Sequence, residues 1–164
     1  MSLWIWFTQN PQVVFNIVLG LTTAYIAYQQ WQANTFKLRM DLYDRRLRLY
    51  QEVNKIVGII VRDANVELPD LWAFVASTAE ADFLFGPEIR EYLEEIFTRG
   101  NKLRSANREY RDATQRIPPG YDHNRVVQEM DEQCSWFAGQ LTGQPNIAKQ
   151  KFAVYLDVSQ MKRR

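Results

Sequence analysis

The sequence predicts an all-α protein: one N-terminal transmembrane helix continuing into a cytosolic bundle of about four to five helices. Three observations carry this. Val13 to Tyr28 (VVFNIVLGLTTAYIAY) holds no charge and no proline. Apolar residues after it recur at helical spacing, and no period-two strand pattern survives anywhere. Breakers are concentrated at NVELPDLW, FGPE, IPPGYDHN and TGQPN, which divide the chain into helices. The expected division is an interfacial segment and membrane helix over 1–31, then a cytosolic helical domain over 32–164.

A helix rises about 1.5 Å per residue, so Gln12 to Gln29 covers roughly 27 Å, near the ~30 Å of a hydrocarbon core. Trp4, Trp6 and Phe7 precede the stretch, and Tyr25, Tyr28 and Trp31 close it, as an interfacial aromatic belt would. Residues 1–12 are uncharged, whereas Lys37, Arg39, Arg45, Arg46 and Arg48 follow the span. Positive charge stays on the cytoplasmic side, so the expected topology is N-terminus outside and domain cytoplasmic. A signal peptide would need a basic start and a cleavage site, and MSLWIWF has neither. A surface-lying helix would need a charged face. A buried core helix is the stronger competitor, because Asn16, Thr22 and Thr23 interrupt the apolar run.

Polar and small residues in the span form one stripe: Gln12, Asn16, Gly20, Thr23, Ala27 and Gln30. Such a stripe lets helices approach and hydrogen-bond, or lines water. A lone span encloses nothing, so either use requires a homo-oligomer. No charged ring decides between helix contact and pore.

The first helix should run on to about Asp63, with Leu42, Leu49, Val53, Ile56, Val57 and Ile60 as its seam. Asp41 and Arg45 stand at i,i+4. Arg45 and Arg46 are candidate phosphate ligands, lipid-headgroup contacts or partners of an acidic block. A second helix is expected from about Leu68 to Phe83, Pro69 in its first turn, with Leu71, Phe74, Val75, Thr78, Ala79 and Phe83 inward. The third should cover Pro87 to Gln115, with Ile89, Leu93, Ile96, Gly100, Leu103 and Tyr110 on its seam. Its acidic start and basic end suit the helix dipole. Asp122 or Asn124 should cap a helix from His123 to about Leu141, with Val126, Val127, Met130, Cys134 and Phe137 inward. A last helix is expected from Ile147 to Val158.

Charge is blocked along the chain although its net value is +1. Residues 32–62 carry seven Lys or Arg against three acids, residues 67–96 eight acids against one Arg, and residues 99–116 six basics against two acids. Opposed surfaces that meet within or between protomers are the expectation. Arg104, Arg108 and Arg111 fall at i, i+4 and i+7. A guanidinium row suits a phosphate backbone or a nucleotide oligomer, and equally a solvated face paired with Glu109 and Asp112. Enzymatic chemistry has little to stand on. His123 is the only histidine and Cys134 the only cysteine, which disfavours a zinc site and excludes an intrachain disulfide. Glu80 and Asp82 are too close in sequence to face one another on a helix. No catalytic residue, metal or cofactor is expected.

The stretches KLRMDLYDRRLRLYQEV, EADFLFGPEI and NREYRDATQRIPPGYDHNRV resemble a set of small bacterial single-pass membrane proteins with an LDLYDRR-like juxtamembrane helix. These include membrane effectors of anti-phage defence systems of the Hailong type. The resemblance implies an oligomeric, channel-like effector, with a tetramer as one expected copy number. It implies a partner nucleotidyltransferase whose short deoxyadenylate oligomer holds the effector inactive until the DNA is lost. It transfers no ligand-binding residue; the arginine assignments rest on spacing. The alternative is a non-conducting membrane-anchored scaffold or interaction module.

Overall fold

A computed structural model describes residues 11–143 and 146–157. Among them the chain is helical with no strand, and six helices follow in order. These are α1 (Pro11–Asp63), α2 (Leu68–Ser77), α3 (Ala81–Leu84), α4 (Pro87–Gln115), α5 (His123–Thr142) and α6 (Ile147–Ala153). The chain divides into two units, Met1–Asp41 and Leu42–Arg164.

In the second unit the core forms where apolar seams converge. Leu49, Val53, Ile56, Val57 and Ile60 of α1 are buried with Leu71 and Phe74 of α2, and with Ile89, Tyr92, Leu93, Ile96 and Leu103 of α4. Phe137 of α5 and Phe152 of α6 complete it. Leu42 and Tyr110, expected on those seams, are instead 39% and 38% exposed. Beyond Leu103 the buried residues of α4 are Ala106 and Ala113, where small side chains suffice.

Each helix end has a local cause. α1 stops at Ala64, whose φ of 49° is left-handed, and the Ala64 carbonyl accepts from Asn107 Nδ2 at 3.0 Å. Asp122 caps α5 by accepting from the Arg125 amide at 3.1 Å, and Asn146 caps α6 by accepting from Lys149 at 3.0 Å. Between α4 and α5 the Tyr121 amide donates to Pro118 across Pro119 and Gly120, whose φ of 80° fits the third position of a type II turn.

The expected Leu68–Phe83 helix is broken. Ser77 and Thr78 hydroxyls both donate to the Phe74 carbonyl, at 2.9 and 2.8 Å, and the Ala81 amide turns back to Thr78. α2 ends at Ser77, with these hydroxyls on its last carbonyls. The chain then restarts as α3, and Phe83 faces solvent, 89% exposed, rather than the core. The last helix ends at Ala153, earlier than expected; Val158 lies outside the described residues.

In the first unit α1 runs unbroken, as expected, and is bare. Every residue from Phe15 to Asn34 is exposed, with Phe15 at 65%, Leu21 at 67% and Trp31 at 64%. No helix among the described residues is long and apolar enough by hydropathy to cross a membrane. Asn16, Thr22, Thr23 and the tyrosines and glutamines that follow dilute the run.

Candidate functional site

The polar stripe of α1 is the first candidate. Gln12, Asn16, Gly20, Thr23 and Ala27 are all exposed along the helix. They are not equivalent chemically. The Thr22 and Thr23 hydroxyls donate to the carbonyls of Val18 and Leu19, both at 2.8 Å. Gln29 donates to the Tyr25 hydroxyl at 2.9 Å and Gln32 to that of Tyr28 at 2.8 Å. Gln12 and Asn16 make no side-chain hydrogen bond among the described residues, so their amides keep free donors and acceptors. A Cβ at Gly20 would meet nothing within 4 Å, so nothing in the chain's own packing requires a glycine there.

The five candidate arginines separate into two groups. Arg45 pairs with Glu80 at 3.1 Å, not with Asp41. The helix neighbour loses because the α2–α3 turn brings a carboxylate of the acidic block to the same guanidinium. Arg46 donates to the carbonyls of Leu84 and Tyr155, at 3.1 and 3.3 Å, with its guanidinium over the Phe85 and Tyr155 rings. It is a cross-brace between α1, the chain after α3 and the C-terminal segment. Tyr155 in turn accepts from the Gly86 amide and donates to Glu88, which holds the Glu88 carboxyl below its usual range.

Arg104 and Arg108 line one concavity of about 290 Å³ with Ser105, Glu109, Asp112 and Pro118. Arg108 faces Asp112 at 3.7 Å, both well exposed. Such a contact contributes at most about 1 kcal/mol and yields readily to a better anion. The Arg104 Nε is buried without a hydrogen-bond partner, which leaves a charged donor seeking an acceptor. Arg111 is exposed and does not line the concavity.

A second concavity of about 480 Å³ adjoins it and shares Ser105 and Glu109. Lys102 and Arg125 contribute cations there, and Glu129 a carboxylate. Arg125 donates to Glu109, which raises the guanidinium pKa and offsets that carboxylate. The joined groove therefore carries Lys102, Arg104, Arg108 and Arg125 against Glu109, Asp112 and Glu129. Arg125 and Ser105 were not legible as groove residues, because only the packing of α5 on α4 brings Arg125 to Glu109. The one available signal was the pair of acids inside the arginine row.

No nucleophile and base converge among the described residues. His123 Nδ1 lies 3.3 Å from the Tyr121 hydroxyl, and burial pushes the Cys134 thiol up, away from the reactive thiolate. No group of three or more His, Cys, Asp or Glu is arranged to hold a metal ion among the described residues. No family model, curated protein or solved structure matches the chain.

Proposed function

We propose that the chain is an oligomeric inner-membrane effector of bacterial anti-phage defence. In this reading it is channel-like and held inactive by a nucleotide or short single-stranded DNA. Release of that ligand disrupts the membrane and arrests growth. One observation supports the membrane part most: α1 is exposed and uncharged on every side from Phe15 to Trp31, apolar and aromatic over most of that surface and polar along the Asn16–Gly20–Thr23 stripe. Fully covering a side chain such as Phe15, Ile17, Leu19 or Leu21 is worth about 1.5–3 kcal/mol each, so lipid or other copies would cover them. The hydropathy of the run understates its fit to lipid. Thr22, Thr23, Gln29 and Gln32 lower it, yet both hydroxyls and one amide N–H of each glutamine are engaged within the helix, and groups so engaged cost less in hydrocarbon; the Asn16 amide is left free among the described residues.

The ligand part draws on the resemblance and on the α4–α5 groove. There Arg108 is only weakly paired, and Arg104 lines the same concavity. A ligand shifts the assembly only by binding its closed arrangement more tightly than its open one. The test is Asn16→Leu and Arg108→Glu in cells that express the effector. Depolarisation and growth arrest should change with the first, and their suppression by the ligand with the second. Indifference to both sinks the mechanism.

The non-conducting scaffold keeps one observation in its favour. Arg45 and Arg46, two of the candidate ligand arginines, are engaged within the protein. Ion flux through liposomes holding the purified chain separates the readings, since a scaffold passes none.

A further inference from the structure

The α2–α4 face carries a groove and a knob that the fold itself leaves unmatched. The groove, about 330 Å³, lies between α2, α3 and α4 and is lined by Trp72, Val75, Leu93 and Phe97 among others. Trp72 is 58% exposed although its ring lies 5.9 Å from that of Phe97. Phe83, 89% exposed on α3, follows Asp82 of the groove wall in sequence but does not itself line the groove. A phenylalanine left this exposed, in a fold that also leaves an apolar groove open, is available to fill such a groove on another copy.

The rim chemistry names the occupant. Arg90, Asp82 and Glu94 line the groove, and none has an ion-pair partner within the chain among the described residues. Arg90 is the one cation of the acidic block that spans residues 67–96. This face therefore offers an exposed apolar side chain, an open apolar groove and one cation that has two carboxylates to meet on a second copy. That is what an isologous two-fold contact requires, in which each residue meets its counterpart's partner on the other copy. We propose that this face docks a second copy of the chain: Phe83 of each copy enters the Trp72–Val75–Phe97 groove of the other, and Arg90 meets the second copy's Asp82 or Glu94. The proposal shares with the membrane reading only the premise that copies assemble; every residue in it lies in the Leu42–Arg164 unit.

The test is cysteine cross-linking of the full chain in native membranes, in a Cys134→Ser background. Two differently tagged copies are co-expressed, one carrying Phe83→Cys and the other Val75→Cys. Both positions are exposed, so both variants should fold, with unchanged helicity and melting. A mixed-tag cross-link is expected. Arg90→Glu in both copies should lower its yield by about tenfold through like-charge contact at the rim, and Arg90→Glu with Asp82→Arg should recover it. Absence of the cross-link while the chain remains oligomeric in detergent would overturn this interface and leave the membrane reading standing. Quenching of a fluorophore on Phe83→Cys by brominated lipid would overturn it too, by putting a bilayer where the second copy belongs.

Discussion

Single residues hold this fold at points where polar atoms are buried or the backbone is forced. Ala64 sits in the left-handed region that favours glycine, at the end of α1. Ala64→Gly should stabilise the protein by about 0.5–1 kcal/mol, read as a higher urea midpoint with an unchanged slope. Tyr92 is a different case. It is 2% exposed and its hydroxyl donates to Gln140 Oε1 at 3.1 Å. Burial, with Glu95 nearby, pushes its pKa well above that of a free tyrosine. The folded value exceeds the unfolded one, so its contribution is complete below about pH 10 and declines as pH rises beyond that. Tyr92→Phe should cost about 1–3 kcal/mol at neutral pH by orphaning the Gln140 oxygen, and should flatten the alkaline decline. Glu88 runs the opposite way. Donation from Tyr155, then its own backbone amide, depresses its folded pKa. Its contribution is present above the usual carboxylate range and disappears as pH falls through the folded value. Melting of Tyr155→Phe followed from pH 7 to about pH 3 should show a shallower acid loss than the parent chain.

Between elements, contact distance decides more than propensity. Gly100 of α4 is where Leu71 of α2 closes in: a Cβ there would stand 2.8 Å from Leu71 Cδ2. Gly100→Ala should therefore cost about 1–3 kcal/mol by overpacking, although alanine is the better helix former, and Leu71→Val in the same chain should recover part of it. The periodicity that placed Gly100 on the seam is thus a requirement for close approach and not only for apolar character. The same reasoning explains the broken second helix. Its apolar spacing continues to Phe83, but the run ends at Ser77, where Ser77 and Thr78 lay their hydroxyls on the Phe74 carbonyl. α1 shows the reverse: Thr22, Thr23 and Thr35 also back-bond to their own helix, yet the helix continues through them. Nothing local in the hydroxyl chemistry separates the two cases. At α2 the chain has to turn so that Ala81 can be buried in the core and Glu80 can meet Arg45.

For the molecule as a whole, the strongest expectation concerns α1. If its uncharged run lives in lipid, a single charge at its middle is expensive, about 2.5–3.5 kcal/mol on insertion scales. Leu21→Arg should move the chain from the carbonate-resistant membrane fraction toward the soluble one, while Leu38→Arg, beyond the first charges, should leave it in place. Equal partitioning of parent and Leu21→Arg chains would remove the membrane reading and the conduit with it.

Much of this was readable along the chain, for a physical reason. Helix periodicity, proline and glycine breaks and capping side chains are interactions between near neighbours, so α1, α4 and the start of α5 stand where their residues placed them. The uncharged stretch and the arginine row were legible in the same way. Partnership across helices was not. Arg45 has a carboxylate four residues away at Asp41, yet it takes Glu80; Arg46, a candidate ligand residue, donates to two backbone carbonyls; the Arg104 Nε is buried without a partner, which spacing could not foretell. Those outcomes depend on which surfaces the core drives together, and burial of apolar seams, not charge, chooses that arrangement. Charged side chains then pair with whatever the packing has brought within reach.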